Sequence, residues 1–584
     1  MLINFRKLSI GGLLIILVCS SCLPAKAQNA NTTQTPLVSL LDFNPKVTGF
    51  GFKNFRNDNH NWQDDLAADD LIRLVGVAAT CKSGNNASNC VMKAAPRKWL
   101  EEYLKAIDKG RCTGLAVGSL RFNSGLGFRT KTSTQLLATA KSPFNLALDP
   151  FIENYVSYYW LTQVFDEVKK PKDATAKKGP LEIAKTLSAA IQSKKEFYTM
   201  SLKKFDKGRI FDGHEFTPFA VEDSETQYKI HVYDNNFPGE TRFLFINKTG
   251  AQTWTYSTSK DQKAKPDYVG DINTQTLSIT ANSWRDGKCF DPPFGSDGTR
   301  ATGCGTQSVT MLNAAFTGAN SKQTTDEDGE DAEFFLTGEG DMLITQGGKR
   351  IGFDSKTGKY FNEVKDGNAD EIIGGMGFDL PHYTLPYQAE GEPFTIVFSG
   401  KNLTQESVMD FVFSAPGFTV GFEGIMLDPD ETLTAEITPD GEQISFTAST
   451  DGETPEVFFA FDSDNEDAAS YITMIDGVEL TAGKTLFYDF DFDNGKMFFS
   501  DDDGNEDSFD IELIRINADG TIDEYKQDDL DIGKADKYEM DFGDWDGEGS
   551  MCFKDDEDGD GFDDEDCSEQ SNEETDEEAE TDAN

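Results

Sequence analysis

The chain has 584 residues, 103 of them acidic and 53 basic, which gives a formal net charge of −50 at pH 7. From residue 311 onward Asp and Glu outnumber Lys and Arg by 73 to 14, whereas residues 1–310 hold 30 acidic and 39 basic residues. This length and asymmetry indicate several domains, and the acidic half repels polyanions, which argues against a nucleic-acid partner.

The first 27 residues have the parts of a secretory signal peptide. Two basic residues precede an apolar run over residues 8–18, and a small-residue cleavage site ends at Ala27. We therefore predict cleavage after Ala27 and a secreted or otherwise extracytoplasmic protein. The alternative is a lipid anchor on Cys22. No later segment holds the roughly 20 apolar residues that cross a bilayer, so we expect no transmembrane segment.

Helical periodicity gives way to strand alternation within residues 28–310. The helical segments are residues 64–75, 94–107, 150–165 and 181–205, and the alternating segments are residues 215–222 and 228–234. Helices followed by an antiparallel sheet predict an α+β domain over residues 28–310.

Cysteine counting isolates Cys112 within this domain. Seven cysteines remain after the signal peptide, and an odd number cannot pair completely. The short-range pairings that we expect are Cys81–Cys90, Cys289–Cys304 and Cys552–Cys567, although the sequence does not fix connectivity. Cys112 is left over at the start of an apolar helix, where the positive end of the helix dipole stabilises a thiolate and lowers the pKa.

The chain offers four histidines as a general base, namely His60, His214, His231 and His382. His214 stands at the mouth of the first predicted strand, and Asp234 lies at the end of the second. Two antiparallel strands joined by a short turn can bring these ends together, as a base and its orienting carboxylate require. His60 lies in a polar loop, His231 in mid-strand and His382 in the acidic half.

Three sequence elements resemble a group of secreted bacterial papain-like cysteine peptidases, over roughly residues 45–260. They are Gly110-Arg111-Cys112-Thr113-Gly114-Leu115-Ala116, Gly213-His214-Glu215-Phe216-Thr217-Pro218-Phe219-Ala220-Val221-Glu222-Asp223 and Val232-Tyr233-Asp234-Asn235-Asn236-Phe237-Pro238-Gly239. The resemblance implies Cys112 as nucleophile, His214 as general base and acid, and Asp234 as the orienting residue. Asn235 or Asn236 is the alternative in the orienting role.

One expected part of such a site is missing from the sequence. Papain-like enzymes usually place a Gln shortly before the nucleophile as an oxyanion donor, but residues 106–109 are Ala, Ile, Asp and Lys. The backbone amide of Cys112 is the donor that we expect in any version. The second oxyanion donor stays unassigned.

Residues 325–550 consist of short alternating runs separated by turns rich in Gly, Asp and Asn. Examples of the runs are residues 341–345, 394–398 and 456–461. This pattern is typical of all-β sandwich modules, and the sequence leaves open whether there are one or two. Beside a catalytic domain such modules usually bind substrate or a surface, with an inert spacer as the alternative.

Residues 551–584 combine an acidic calcium-binding motif with a tail that we expect to be disordered. The motif resembles calcium loops of the thrombospondin type 3 and EF-hand kinds, with Gly561 in the sixth position. Its candidate ligands are Asp556, Asp558, Asp560 and Asp564. Cys567 stands where an EF-hand has a bidentate acid, and a solvated acidic run is the alternative. A weaker acidic cluster comprises Asp489, Asp491 and Asp493.

The sequence therefore predicts a secreted, multidomain cysteine hydrolase that acts as a peptidase on protein or peptide substrates, with structural calcium. Association with a cell surface or matrix is an open option. One alternative is an extracellular calcium-binding or adhesion protein with a non-catalytic papain-like domain. Another keeps the triad but transfers acyl groups to an amine, as transglutaminases do.

Overall fold

The computed structural model describes residues 37–556 apart from residues 40–42, 57–64, 130, 207–208, 287–288, 295–303, 305–330, 376–380, 464–467, 493, 503–506, 533–536, 544, 546 and 550. This part of the chain is mostly β-sheet, with its α-helices between residues 68 and 193. The helices are α1 Ala68–Val75, α2 Val77–Thr80, α3 Ala94–Ala106, α4 Cys112–Asn123, α5 Ser133–Leu136, α6 Pro150–Leu161, α7 Asp166–Lys177 and α8 Pro180–Ser193. Short 3-10 helices cover Ile107–Lys109, Pro143–Asn145 and Asn282–Arg285.

Glycine brings α4 unusually close to α6. A Cβ at Gly114 would lie 1.9 Å from the carbonyl oxygen of Val156, and one at Gly118 would lie 2.8 Å from the ring of Tyr155. Because any larger side chain would collide with α6, only glycine permits this approach. As a result α4 is buried from its first residue, Cys112, onward.

The strands of the front region form one main sheet and a small ribbon. The strands are β1 Leu37–Ser39, β2 Cys81–Ser83, β3 Val91–Met92, β4 Tyr198–Asp206, β5 Arg209–Asp223, β6 Gln227–Tyr233, β7 Thr241–Asn247, β8 Trp254–Tyr256, β9 Tyr268–Gly270 and β10 Leu277–Ala281. The main sheet has the order β10-β4-β5-β6-β7-β8-β9, with β1 on β5, and β2 pairs with β3. Apolar residues of α8 and of β5 to β7 share one core.

Two details of the sequence prediction for this region were wrong. The helix expected over residues 181–205 ends at Ser193, Lys194 adopts a left-handed conformation (φ 56°), and β4 follows. Met200 and Leu202 alternate into the core of the sheet, and this burial favours a strand. His214 lies within the 15-residue β5, not at the mouth of a strand.

The back region forms two antiparallel sheets, which we call the nine-stranded and the ten-stranded sheet. The strands are β11 Asp331–Leu336, β12 Asp341–Gln346, β13 Lys349–Asp354, β14 Lys359–Asn362, β15 Asn368–Glu371, β16 Pro381–Pro386, β17 Phe394–Ser399, β18 Ser407–Ala415, β19 Phe418–Leu427, β20 Thr432–Ile437, β21 Gln443–Thr447, β22 Glu456–Asp462, β23 Ala468–Asp476, β24 Thr485–Asp491, β25 Lys496–Asp501, β26 Asp507–Asn517, β27 Ile522–Ile532, β28 Lys537–Asp541 and β29 Cys552–Asp556. Their orders are β15-β16-β11-β18-β19-β22-β23-β26-β27 and β14-β13-β12-β17-β20-β21-β24-β25-β28-β29.

These two sheets face each other across one apolar core. The ring of Phe334 on β11 lies 5.1 Å from that of Phe394 on β17, and the ring of Phe459 on β22 lies 4.0 Å from that of Phe490 on β24. The alternation in the sequence correctly predicted a sandwich-like arrangement. In the described residues the core is continuous over both sheets, so they form a single sandwich.

Helix α3 packs on the nine-stranded sheet and joins the front region to the sandwich. Trp99 Nε1 donates a 2.7 Å hydrogen bond to Glu333 Oε2, and His382 Nε2 lies 3.2 Å from the same oxygen. Around them, one apolar cluster contains Trp99 and Trp160 from the front and Phe335 and Ile372 from the back. This packing holds the edge of the nine-stranded sheet near the start of α4.

The cysteines follow the predicted pattern where the structure describes them. The disulfides are Cys81–Cys90 and Cys289–Cys304, and Cys112 carries a free, buried thiol. The side chain of Cys552 and all of Cys567 lie outside the described residues. Two disulfides are compatible with an extracellular protein. None of the described helices combines the length and apolar character needed to cross a bilayer.

Candidate active site

Cys112 is the first residue of α4, as the sequence predicted, and its side chain is fully buried. Gly110, with φ 99°, ends the preceding 3-10 turn, and Arg111 is the N-cap residue. The thiol therefore lies at the positive end of a helix that is buried along its length.

The register of β5 and β6 brings His214 to Asp234. Thr217 pairs with Tyr233, so the residue that follows β6 lies beside the middle of β5. His214 Nε2 lies 2.7 Å from Asp234 Oδ1, and both side chains are buried. The amide of Asn236 donates to the same carboxylate at 2.8 Å.

The Asp234 carboxylate fixes the orientation of the imidazole. Its second oxygen accepts a hydrogen bond from Tyr256 Oη. A carboxylate accepts only, so His214 Nε2 carries a proton toward Asp234, and Nδ1 is the nitrogen left to exchange a proton with the thiol. Nδ1 makes no aligned hydrogen bond to a described residue.

His214 Nδ1 and Cys112 Sγ lie on the same side of Gly375. A Cβ built on Gly375 would lie 2.3 Å from Nδ1 and 2.8 Å from Sγ. The thiol therefore has His214 Nδ1 close by as a proton acceptor, although the resting contact is not ideally aligned. All three residues that the sequence proposed as catalytic, Cys112, His214 and Asp234, come together.

Burial and partner charges act against each other on the titratable groups. Burial lowers the pKa of His214, but the charge and hydrogen bond of Asp234 outweigh it, so this pKa lies well above its ordinary value. Burial raises the pKa of the Cys112 thiol, and interaction with His214 offsets this only in part. Contrary to the sequence expectation, the helix start does not give a lowered thiol pKa in this buried state.

Two donors converge on the carbonyl oxygen of Gly374. The backbone amide of Cys112 lies 3.2 Å from this oxygen, and Asn54 Nδ2 lies 2.8 Å from it. Two further hydrogen bonds hold Asn54 in position. Its side-chain Oδ1 accepts from the backbone amide of Arg111 at 2.7 Å, and its backbone amide donates to Asn235 O at 3.0 Å. This is the geometry of an oxyanion hole around a peptide carbonyl.

The two asparagines after Asp234, which were the alternatives for the orienting role, make other contacts. Asn235 Nδ2 donates to the carbonyl oxygens of Cys112 (2.9 Å) and Glu215 (3.0 Å) and so ties the start of α4 to β5. Asn236 Nδ2 donates to the carbonyl oxygen of Gly375 at 2.8 Å. Neither side chain orients His214, and Asp234 does.

Glu215, a buried carboxylate next to His214 in sequence, links the elements that carry the candidate site. Glu215 Oε2 accepts hydrogen bonds from Thr113 Oγ1 at 3.1 Å and Ser201 Oγ at 3.0 Å. Glu215 Oε1 lies 3.3 Å from the guanidinium of Arg285. These contacts connect α4, β4 and β5, so Glu215 fixes the strand that carries His214. Nothing in the sequence around Glu215 indicated that it would hold this strand in place.

The remaining histidines have other surroundings. His231 Nε2 lies 2.7 Å from Glu222 Oε1, and the ring contacts Phe243 at a centroid distance of 4.9 Å. His382 belongs to the contact between α3 and the sandwich, 3.4 Å from Tyr103 Oη. His60 lies outside the described residues.

The predicted calcium ligands are largely beyond what the structure describes. Asp556 ends β29, but its side chain, like all of Asp558, Asp560 and Asp564, lies outside the described residues. Among the side chains that are described, no cluster of His, Cys, Asp and Glu could hold a metal ion.

The weaker acidic cluster is described only in part. Asp489 and Asp491 share the outer face of β24, and Asp491 accepts a 2.7 Å hydrogen bond from Asn494 Nδ2. Asp493 lies outside the described residues.

Comparison of the chain with protein-family models, with curated proteins and with solved structures found no match.

Proposed function

We propose that this protein is a papain-like cysteine hydrolase that cleaves peptide bonds, with Cys112 as nucleophile, His214 as general base and acid, and Asp234 as the orienting residue. The observation that carries the proposal is the convergence of the Cys112 amide and Asn54 Nδ2 on the carbonyl oxygen of Gly374 beside this triad. A buried cysteine near a histidine is often only structural. Two donors aimed at one peptide carbonyl are an arrangement that acyl transfer requires.

The chemistry proceeds through a thioester. Cys112 loses its proton to His214 Nδ1, and Sγ attacks the carbonyl carbon of the substrate while negative charge develops on its oxygen. The Cys112 amide and Asn54 stabilise that charge. The His214 imidazolium then donates its proton to the departing amine. A water molecule gives a proton to His214 and attacks the thioester, which releases the carboxylate product and returns the thiol.

The proposal includes export of this protein from the cytoplasm. The signal-like residues 1–27 and the two disulfides support a site of action outside the cytoplasm. Cys22 is the residue that a lipid anchor would use. The sandwich is proposed to bind the substrate or the surface on which the enzyme acts.

We also propose structural calcium at the motif that begins with Asp556, because alternating carboxylates around a glycine turn supply the oxygen ligands that calcium takes. The test is isothermal titration of calcium into the full chain. Replacing Asp558 and Asp560 by Asn should weaken calcium binding, while replacing Asp576 and Asp582 removes the same charge and should not. Equal binding by both variants would contradict a site at this motif.

The hydrolase function is tested with a peptide library whose cleavage products are identified by mass spectrometry. Cys112→Ala and His214→Ala should abolish cleavage. His231→Ala is the matched control, because His231 is also a strand histidine paired with a carboxylate but lies away from Cys112. Cleavage by the Cys112→Ala variant at the rate of the unaltered chain would overturn the proposal.

Adding a fluorescent primary amine to the same reactions separates the alternatives. Amine adducts without hydrolysed products would favour an acyltransferase that uses the same triad. If the unaltered chain gives neither product and the Cys112 thiol is accessible, the non-catalytic binding protein becomes the better description.

A further inference from the structure

The chain that follows β15 leaves the nine-stranded sheet and enters the active site. Glu371 at the end of β15 pairs with Pro381 at the start of β16, so residues 372–380 connect two neighbouring strands. The structure describes residues 372–375 of this connection, and all four are buried, with Ile373 only 1 % exposed. Connections between strands normally lie at the surface, so the burial of this one requires a specific reason.

Ile373 is held by its backbone. Its amide donates a 3.1 Å hydrogen bond to Gln163 Oε1, and its carbonyl oxygen accepts from Trp160 Nε1 at 3.1 Å and Gln163 Nε2 at 3.4 Å. The Cys112 thiol also points to this oxygen, with Sγ 3.8 Å away. The front region therefore recognises the peptide backbone at this position, not the isoleucine side chain alone.

The next two carbonyl groups are recognised in the same way. Gly374 O accepts from the Cys112 amide and from Asn54, and Gly375 O accepts from Asn236 Nδ2. Three successive carbonyls thus bind donors of the front region. Main-chain hydrogen bonds in series are how a cleft binds an extended peptide.

We propose that residues 372–375 occupy the substrate cleft as a bound peptide, that the Gly374–Gly375 bond is cleaved by the enzyme in its own chain, and that the uncut chain is the self-inhibited form. The proposal rests on the hydrolase function proposed above and adds to it a processing site and a substrate class.

The oxyanion contacts set which bond reacts. The carbonyl that lies between the two donors belongs to Gly374, so its carbon is the electrophile and the amide nitrogen of Gly375 is the leaving group. Gly375 is also the residue beside His214 Nδ1 and Cys112 Sγ. The imidazole that must protonate the leaving nitrogen therefore lies beside Gly375, the residue that carries this nitrogen.

The cleft accepts only glycine on both sides of this bond. A Cβ at Gly374 would lie 2.1 Å from the carbonyl oxygen of Lys109, a backbone atom that cannot rotate away. A Cβ at Gly375 would collide with His214 and Cys112, and the φ of Gly375, 78°, disfavours other residues. The substrate class that follows is a peptide with Gly-Gly at the cleaved bond.

The residues before the two glycines add an apolar preference. Ile372 is 3 % exposed and belongs to the cluster that includes Trp99 and Trp160. Burying an aliphatic side chain of this size removes apolar surface from water and so stabilises a bound peptide. The preferred sequence is therefore apolar-apolar-Gly-Gly, as in residues 372–375.

Occupation of the cleft also explains why the uncut chain is closed to other substrates. Cys112 has no exposed surface, and the carbonyl of Ile373 and the backbone of Gly375 lie against its thiol. An external peptide can reach Sγ only after this segment leaves. The chain thus competes with every substrate as an intramolecular ligand at high effective concentration.

Cleavage balances as an ordinary hydrolysis. The C–N bond between Gly374 and Gly375 breaks, and Gly374 becomes a thioester on Cys112 while Gly375 leaves as an amine with a proton from His214. Water then hydrolyses the thioester. The products are a chain that ends in the Gly374 carboxylate and a chain that begins with the Gly375 amine.

The test uses the full chain and reads two events by intact-protein mass spectrometry under denaturing conditions. One is cutting between Gly374 and Gly375, and the other is alkylation of Cys112 by iodoacetamide in the uncut chain, located by digestion. The proteins compared are the unaltered chain, Cys112→Ala, Gly375→Ala and Gly358→Ala. Gly358 also has positive φ, 65°, but no atom lies within 4 Å of its Cβ position, so it controls for backbone strain.

We expect the unaltered chain and Gly358→Ala to be cut at Gly374–Gly375, and Cys112→Ala to stay whole. Gly375→Ala should stay whole and be alkylated at Cys112 at least roughly tenfold faster than uncut Gly358→Ala, because a thiol reacts only when exposed. The proposal would be overturned if the unaltered chain were not cut or were cut only at other bonds. It would also be overturned if Cys112 were alkylated equally fast in the two glycine variants.

A quenched peptide, Glu-Ile-Ile-Gly-Gly-Met, separates this proposal from the hydrolase function. Gly375→Ala should cleave it and should leave the matched peptide with Ala in place of the second Gly intact. If Gly375→Ala exposes Cys112 yet cleaves no peptide, the hydrolase function fails although the cleft is occupied as described. If it cleaves the peptide while the unaltered chain never cuts itself, self-processing fails and the hydrolase function stands.

Discussion

Asn54 Nδ2 lies 2.8 Å from the carbonyl oxygen of Gly374, 320 residues further along the chain. The same oxygen accepts a hydrogen bond from the backbone amide of Cys112. One donor comes from the loop before α1 and the other from the start of α4. Both already point at the oxygen, so neither needs to move when charge develops on it. Under the proposed hydrolase function, Asn54 is the second oxyanion donor that the sequence left open.

Asn54→Ala should lower kcat/KM for peptide cleavage by about 10²- to 10³-fold, the usual cost of removing one oxyanion donor. Most of the loss should be in kcat, because the hydrogen bond strengthens as negative charge develops. Steady-state kinetics with the quenched peptide measures this, and Asn247→Ala on β7, far along the sheet, is the control. If the substitution also lowers the thermal unfolding midpoint strongly, Asn54 instead has a structural role through its hydrogen bond to Arg111.

The grouping of Cys112, His214 and Asp234 could be predicted from the sequence because each of these residues carries a local signal. Cys112 comes two residues after Gly110 and opens an apolar helix. His214 lies on β5 and Asp234 directly follows β6, and a short turn joins these two strands. Asn54 and Glu215 carry no such signal, since their roles come from contacts between elements far apart in the chain. The position of residues 372–375 could not be predicted, because it depends on how α3 packs against the nine-stranded sheet.

Asp234→Asn should reduce kcat and shift the basic limb of the pH profile to lower pH. Burial lowers the pKa of His214 and the Asp234 carboxylate raises it, so losing the charge lowers this pKa. Protonated His214 supplies the proton for the leaving amine, so activity is lost as pH rises through its pKa. The change also permits the wrong imidazole tautomer, which in serine peptidases costs on the order of 10⁴ in kcat.

The measurement for Asp234→Asn is kcat/KM against pH in both proteins. Tyr256→Phe removes a hydrogen bond to the same carboxylate but keeps its charge, so its basic limb should move less. A basic limb in Asp234→Asn at the position found in the unaltered chain would show that Asp234 does not control the pKa of His214.

Asp331→Asn should stabilise the fold at pH 8 and have little effect near pH 4. Burial, and then the charge of Asp166, raise the pKa of Asp331 from 3.8 to about 7 in the folded state. The folded state therefore keeps its proton where the unfolded chain has lost it, so the stability from this group is present at low pH and is lost as pH rises toward 7.

Thermal unfolding at pH 4 and pH 8 tests this. The unfolding midpoint of Asp331→Asn relative to the unaltered chain should be higher at pH 8 than at pH 4. Asp366→Asn is the control, because its side chain is 73 % exposed and its charge is solvated in both states. The same shift at both pH values would mean that the substitution acts through packing and not through the charge of Asp331.

Gln163→Ala should raise KM for the quenched peptide by roughly tenfold and leave kcat nearly unchanged. Its side chain contacts the amide and the carbonyl of Ile373, one residue before the reacting Gly374. Two such hydrogen bonds contribute about 0.5–1.5 kcal/mol each, and they hold substrate and transition state alike, so they act on KM. Gln163→Glu keeps the acceptor for the Ile373 amide and should recover part of the loss. A fall in kcat with KM unchanged would place Gln163 in the chemical step and not in peptide binding.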